Sequence, residues 1–167
     1  QLICLARGNL LIVLKTKIKF THNMLPLGDK TINGDKLCSL ADAIRDLVPD
    51  GSSIVLGAAL ENAIPFAATH ELIRQGKRNL NMIAPISDIS TDMMIGAGCV
   101  TEVTGAWVGN VSGGMGHNFR RATEKGEPHQ IKVHDYSNFS IGMAFFAGAY
   151  GLPYVPLKSI QIGRAHV

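Results

Sequence analysis

Apolar positions along this chain follow two periods that take turns. From Ser39 to Val48, Leu40, Ile44, Leu47 and Val48 recur at helical spacing behind a Ser39/Asp42 capping pattern, and Pro49, Asp50 and Gly51 close the segment. Ile54, Val55 and Leu56 then form an unbroken apolar run, the pattern of a parallel strand covered on both faces. A second helix is expected behind Asn62, with Pro65 in its first turn, Phe66, His70 and Ile73 on its inner face, and Gly76 as its stop. The alternation repeats, with a strand at Leu80–Ala84, a helix at Thr91–Ala97 and a strand at Val100–Thr104. A glycine-rich connection, Gly105 to Gly116, leads into a helix through Arg120 and Arg121 that Gly126 ends. Ile131–Asp135 reads as a strand, Asn138–Tyr150 as a helix with Phe139, Met143, Phe146 and Tyr150 on one side, and Tyr154–Leu157 as a last strand.

Strands separated by single helices are the signature of a mostly parallel sheet with right-handed crossovers. The fold class is therefore α/β, three-layered, with helices on both faces. The stretch Ser52–Gly76 is its focus, because a buried strand, a glycine-started turn and a helix bring a ligand to the carboxyl edge of such a sheet.

A chain of 167 residues, 46% of them hydrophobic, accommodates one cored domain. The net charge of +3 is confined to the ends: Arg7, Lys15, Lys17 and Lys19 precede Met24 and Arg164 follows Gln161, leaving 11 basic residues against 13 acidic ones between them. A slightly acidic body argues against nucleic acid as a partner, since that mode needs clustered cations on the folded surface. Cys4, Cys38 and Cys99 are too few and too scattered for a disulfide framework or a zinc site, and the six histidines show no ligand spacing; His70 stands alone. No metal is expected, and a reducing cytoplasm suits the cysteines.

The two ends are expected to lie outside the native domain. Residues 1–23 carry basic residues, no acidic ones, and a short apolar run at Leu10–Leu14, too short to span a bilayer. The lysines follow that run and no small-residue cleavage site is present, the reverse of a secretory signal. Upstream sequence translated in frame, with Met24 as the start, is the preferred reading, and organelle targeting the alternative. The last six residues, 162–167, read IGRAHV, which matches the translation of a common sequencing adapter. Residues 24–161 are then a domain truncated on its carboxyl side.

Three places can carry chemistry. Gly57 and Ala58 end the first strand; small residues there let backbone N–H groups approach a substrate oxygen beside a helix N-terminus, as in a backbone oxyanion site. A tight strand-to-helix turn that needs small residues for packing is the competing reading. The spacing makes neither a dinucleotide fingerprint nor a Walker loop. Glu61 could be a nucleophile or base, or could simply complement the helix dipole. The run Gly109 to Asn118, with Asn110, Ser112, Gly113 and His117, is either a clamp for a carboxylate or phosphate or a plain loop. Arg120 and Arg121 supply a countercharge or form a solvated helix face.

Three blocks, IVLGAALENAIPFAATHELIRQG, HDYS from His134 to Ser137, and YGLPYVPL from Tyr150 to Leu157, occur in order across Leu40 to Gln161. In them the sequence resembles the A (alpha) subunits of class I coenzyme A transferases, of the glutaconate CoA-transferase type. The resemblance implies the CoA-transferase/NagB-like fold and makes 24–161 the amino-terminal part of an A-type domain. It implies an enzyme moving CoA between an acyl-CoA thioester and a free carboxylic acid, with no bound cofactor beyond that substrate. It implies a hetero-oligomer with a B-type partner, whose glutamate carries a glutamyl-CoA intermediate, so that this chain is inactive alone. The A-type share is then the backbone donor pair, Gly57 and Ala58, where many relatives have Gly-Gly. Ala58 keeps the N–H with a more restricted φ. Asn110, Ser112 and Gly113 fall where the acyl group is bound. Glu61 sits near where the B-type motif has its Glu-Asn-Gly, but Ala63 breaks that motif, so Glu61 reads as an echo of common ancestry or a coincidence and not as the nucleophile. Two rivals remain: a CoA-thioester hydrolase or ring-opening enzyme on the same scaffold, and a non-catalytic α/β domain that binds a small molecule.

Overall fold

The computed structural model describes residues 38–56, 64–110 and 112–157, together with the backbone of residues 2–6 and 9–14. The elements in chain order are β1 (Leu2–Ala6), β2 (Asn9–Leu14), α1 (Leu40–Leu47), β3 (Ser53–Leu56), α2 (Phe66–Arg74), β4 (Leu80–Ser87), α3 (Ile89–Gly96), β5 (Val100–Asn110), β6 (Gly114–Met115), α4 (His117–Glu124), β7 (Lys132–Asp135) and α5 (Asn138–Tyr150). Strands β3, β4, β5 and β7 lie side by side in that order and are parallel. On the outer side of β3, β2 pairs antiparallel, and β1 pairs antiparallel with β2. At the far end of β5, β6 folds back on it as a two-residue hairpin arm. Among the described residues no helix is long and apolar enough to cross a membrane.

One face of the parallel strands builds the core. Ile54 and Leu56 of β3, Leu80 and Met82 of β4, and Val100 and Val103 of β5 cluster with Ile44, Leu72, Met94, Ile95 and Ala122 of the first four helices. Each large apolar side chain among them contributes about 1.5–3 kcal/mol relative to leaving it in water. Helices α1 to α4 pack on one another in chain order, whereas the main contacts of α5 are with β4 and β5. That puts α5 on the opposite face and completes the three layers.

Local signals set several boundaries. Ser39 caps α1, its hydroxyl oxygen accepting the Asp42 N–H at 3.1 Å. Ser137 and Ser140 form a reciprocal capping box at the start of α5, and Gly151 ends that helix in the left-handed region, φ 67°.

The structure departs from the sequence-based expectation in several places, among them β4, which runs on past Ala84 to Ser87, and α3, which starts two residues early at Ile89. Helix α2 starts at Phe66 with Pro65 at its N-cap position, so the helix begins after the proline, and Asn62 lies outside the described residues. The buried face of α2 is Ala68, Thr69 and Leu72, while Phe66 and His70 stand exposed with their rings 6.3 Å apart. Leu72 enters the core with the small Ala68 and Thr69 beside it, Ile73 packs against it from the edge, and the rings of Phe66 and His70 turn outward. Residues Tyr154–Leu157 form no strand, and Tyr154 is 75% exposed. Pro153 and Pro156 supply no N–H to a ladder there. Strand β5 runs to Asn110, through the residues expected to begin a glycine-rich connection. Gly105 pairs with Ala84, and a Cβ on it would overlap the Ala84 carbonyl oxygen, so it is a close-approach glycine within the sheet.

Gly105→Ala is accordingly expected to destabilise the protein by about 1–3 kcal/mol, as overpacking does, measured by urea unfolding. Phe146→Ala, at a half-exposed site on α5, should cost less. A Gly105→Ala variant as stable as the parent would mean that the residue belongs to a loop after all.

Candidate functional site

Because β3, β4, β5 and β7 are parallel, their carboxyl ends open on one edge. That edge is stepped. The β3–β4 register runs Ser53↔Asn81 and Ile54↔Met82, which brings the end of β3, Leu56, level with Ala84. Strand β4 continues three residues further to Ser87, about 10 Å at the usual rise per residue. Alongside it β5 passes Val108, the partner of Ser87, and reaches Asn110. The chain thus leaves β3 at the foot of a wall made by the upper ends of β4 and β5. Gly57, Ala58 and Glu61 come next in the chain, within residues 57–63, which lie outside the described residues.

The top of the wall is a tight hairpin. Asn110 turns its side-chain Oδ1 back to accept the N–H groups of Ser112 at 2.9 Å and Gly113 at 2.8 Å. The Gly113 N–H also reaches the Asn110 carbonyl at 3.1 Å. Gly109 and Gly114 approach so closely that a Cβ on Gly109 would overlap the Gly114 carbonyl oxygen. Asn110, Ser112 and Gly113, the three residues expected to line an acyl site, are therefore neighbours in one turn. The N–H groups of Ser112 and Gly113 are thus used within the loop itself, in bonds to Asn110.

Helix α4 begins directly after this hairpin. His117 is its first residue, Arg120 pairs with Glu124 at 3.0 Å on the exposed face, and Arg121 donates to the Asn118 side chain. Both arginines are engaged within their own helix. The anion at the start of α4 is internal: Asp92, from α3, takes the Phe119 N–H.

Three residues at this edge carry no signal in the sequence alone. Ser87 ends β4 with 1% exposure, and its hydroxyl finds no hydrogen-bond partner among the described residues. Asp88 follows, equally buried, as the N-cap residue of α3. Asp92 is buried one turn later. In the HDYS block, His134 Nε2 lies 3.0 Å from Glu102 of β5, Tyr136 donates its N–H to Gly105, and Ser137 caps α5. Among the described residues no group of three or more His, Cys, Asp and Glu could hold a metal ion. Cys99 is buried, and burial holds its thiol above the ordinary pKa even though Arg78 acts in the other direction. It is not placed to be a nucleophile.

An open parallel α/β sheet with a stepped carboxyl edge defines a class of protein that receives its ligand at that edge. Within the class, the chain belongs to the coenzyme A transferase family, whose model matches residues 38–164. It is 37% identical over 124 residues to the A subunit of 3-oxoadipate CoA-transferase from Pseudomonas knackmussii, covering 74% of this chain and 44% of that protein. It is 32% identical over 126 residues to the A subunit of glutaconate CoA-transferase from Acidaminococcus fermentans, covering 75% of this chain and 39% of that one. The crystal structure of the Acidaminococcus glutaconate CoA-transferase matches with a TM-score of 0.68 over 77% of this chain and 40% of that chain, at 32% identity. The decarboxylase AibA/AibB matches with a TM-score of 0.66 over 77% of this chain and 50% of that chain, at 25% identity. The chain thus spans less than half the length of the two CoA-transferase subunits it matches.

Asn110→Ala removes the acceptor that organises the turn, and amide hydrogen exchange at Ser112 and Gly113 is expected to speed up about tenfold, the worth of one such hydrogen bond; Asn110→Asp, which keeps an acceptor, should leave it slow. Unchanged exchange in Asn110→Ala would remove Asn110 from the turn's support. Alkylation of the native protein followed by peptide mapping should label exposed Cys38 well before buried Cys99, and equal rates would contradict the packing around Cys99.

Proposed function

We propose that this chain is part of the A subunit of a two-subunit enzyme that moves CoA between an acyl-CoA thioester and a free carboxylic acid. The observation that carries this reading is the family match over residues 38–164, which takes in every element from α1 to α5. The stepped edge supports it, because a strand end set below its neighbours gives an acyl chain a wall to lie against. The names of the two relatives, 3-oxoadipate and glutaconate CoA-transferase, both contain dicarboxylates and favour a short dicarboxylic acyl group here.

In this reading the partner, of the B type, brings the glutamate. Its carboxylate attacks the thioester carbonyl and expels CoA thiolate, leaving a mixed anhydride. The thiolate then attacks the glutamyl carbonyl and releases the first acid, which leaves glutamyl-CoA. The acceptor carboxylate repeats the two steps in reverse and departs as the new thioester. This chain contributes the backbone N–H groups of Gly57 and Ala58 to the developing oxyanion, and Asn110, Ser112 and Gly113 to the acyl side of the site. Glu61 has no covalent part.

The chain by itself should exchange no CoA between acids, and adding the partner should produce exchange that depends on the acceptor acid. In that complex Glu61→Gln should leave the covalent CoA adduct intact and on the partner, read by intact-mass measurement. Turnover by the chain alone, or loss of the adduct in Glu61→Gln, would overturn the division of labour. Release of CoA without any acceptor acid would mark a hydrolase instead, and release of carbon dioxide a decarboxylase. Failure to bind a thioester would leave a non-catalytic binding domain.

A further inference from the structure

Asp92 belongs to the first turn of α3 and is 8% exposed, yet its carboxylate serves another helix. Oδ1 accepts the Phe119 N–H at 2.8 Å, and Oδ2 accepts the Asn118 side-chain amide at 2.9 Å. Phe119 is the third residue of α4, the position whose N–H an N-cap side chain normally satisfies. The N-cap residue of α4 is Gly116, which has no side chain to offer. Asp92 supplies that function from across the helix–helix contact, with the favourable placement of an anion at a helix N-terminus.

The surrounding sequence is shaped to admit this contact. A Cβ on Gly116 would overlap Asp92 Oδ1, so glycine at the cap position leaves room for the carboxylate. One turn along α3, a Cβ on Gly96 would stand 2.7 Å from Asn118 Cγ, so the Asn118 side chain lies directly on the α3 backbone. Arg121 holds the other end of that side chain through Asn118 Oδ1.

Gly116 is also where the hairpin ends. Its N–H donates to the Val108 carbonyl at 3.0 Å, and β6 beside it pairs Met115 with Gly109 and Gly114 with Asn110. Fixing Gly116 therefore fixes both arms of the turn that holds Asn110, Ser112 and Gly113. We infer that Asp92 is a positioning residue: by capping α4 from α3 it sets where the acyl-side hairpin stands above the end of β3. The same contact fills the N-terminus of α4 with an internal carboxylate, so that terminus does not take a carboxylate or phosphate of the substrate. The link to acyl binding rests on the CoA-transferase reading; the clamp itself rests on the geometry alone.

The test is a double-mutant cycle in the full-length protein together with its partner. Asp92→Asn keeps an acceptor for Phe119 but turns an N–H2 group toward the Asn118 amide, setting donor against donor. Asn118→Asp sets two carboxylates against each other. Combining the two restores one donor and one acceptor and leaves Arg121 its acceptor. Each single variant should raise the KM for the acyl substrate about tenfold, the scale of a small misplacement in a site, without changing the fraction of partner subunits that form the CoA adduct. The double variant should return KM to near the parent value. Amide exchange at Gly113 and Gly116 should rise in each single variant and recover in the double. A KM and exchange unmoved by either single variant would overturn the inference. So would a loss of active sites with no change in KM, or a double variant that recovers nothing. If one single variant fails to fold, the other and the double still decide. If the parent complex transfers no CoA to any acid, the CoA-transferase reading falls, and the exchange measurements alone decide the clamp.

Discussion

Between β4 and β5 the backbones come so close at Ala84 and Gly105 that a methyl group on Gly105 would overlap the Ala84 carbonyl oxygen. That approach lets β5 stay in parallel register with β4 from Glu102 to Val108, past a one-residue shift at the start of the strand, and run on to Asn110. The rest of the fold is hung on this strand. Met82 and Val103 face the same core from the two strands, β7 pairs on the other edge of β5, and the hairpin leading to α4 grows from its end. Were β5 to stop at Thr104, the carboxyl edge would have no wall and the hairpin no base.

The elements that could be read from sequence are those with strong local signals. Helix α5 begins and ends as its capping residues dictate, since Ser137, Ser140 and Gly151 act on the backbone beside them. The core run of β3 and the periodic stripe of α1 are similarly local. What could not be read depends on neighbours distant in sequence. Gly105 and Gly109 look like loop glycines until β4 and β6 are set beside them, and on α2 the packed face centres on Leu72, with Ile73 at its edge and Phe66 and His70 outside it. The cap on α4 comes from a residue 27 positions away and has no sequence signature.

The candidate site divides the same way. The block around Gly57 and Ala58 and the HDYS block are legible as family likeness, and the match over residues 38–164 includes both. That Asn110, Ser112 and Gly113 form one turn is a consequence of β5's length and of Asn110 accepting two backbone N–H groups. Ser87 and Asp88 enter the picture through burial at the end of β4, a property of the assembled sheet that no spacing of residues announces.

Helix α5 raises a separate constraint. It is apolar on every side, a composition suited to an interior, yet Phe139 is 53% exposed and Tyr150 is 71% exposed, while Ile141 and Ala147 are its buried residues. Its place on the sheet face opposite α1 to α4 has a topological meaning. Strands β3, β4, β5 and β7 step in one direction with their connecting helices on one face. With right-handed crossovers, a helix on the other face reverses the direction of travel. Any parallel strand reached through α5 would therefore come to lie on the β3 side of the sheet, not beyond β7. That edge of β3 is held by β2, in antiparallel register from Leu11↔Leu56 to Leu14↔Ser53. The two pairings use the same N–H and C=O groups of β3, so a returning parallel strand could pair with β3 only in place of the amino-terminal hairpin.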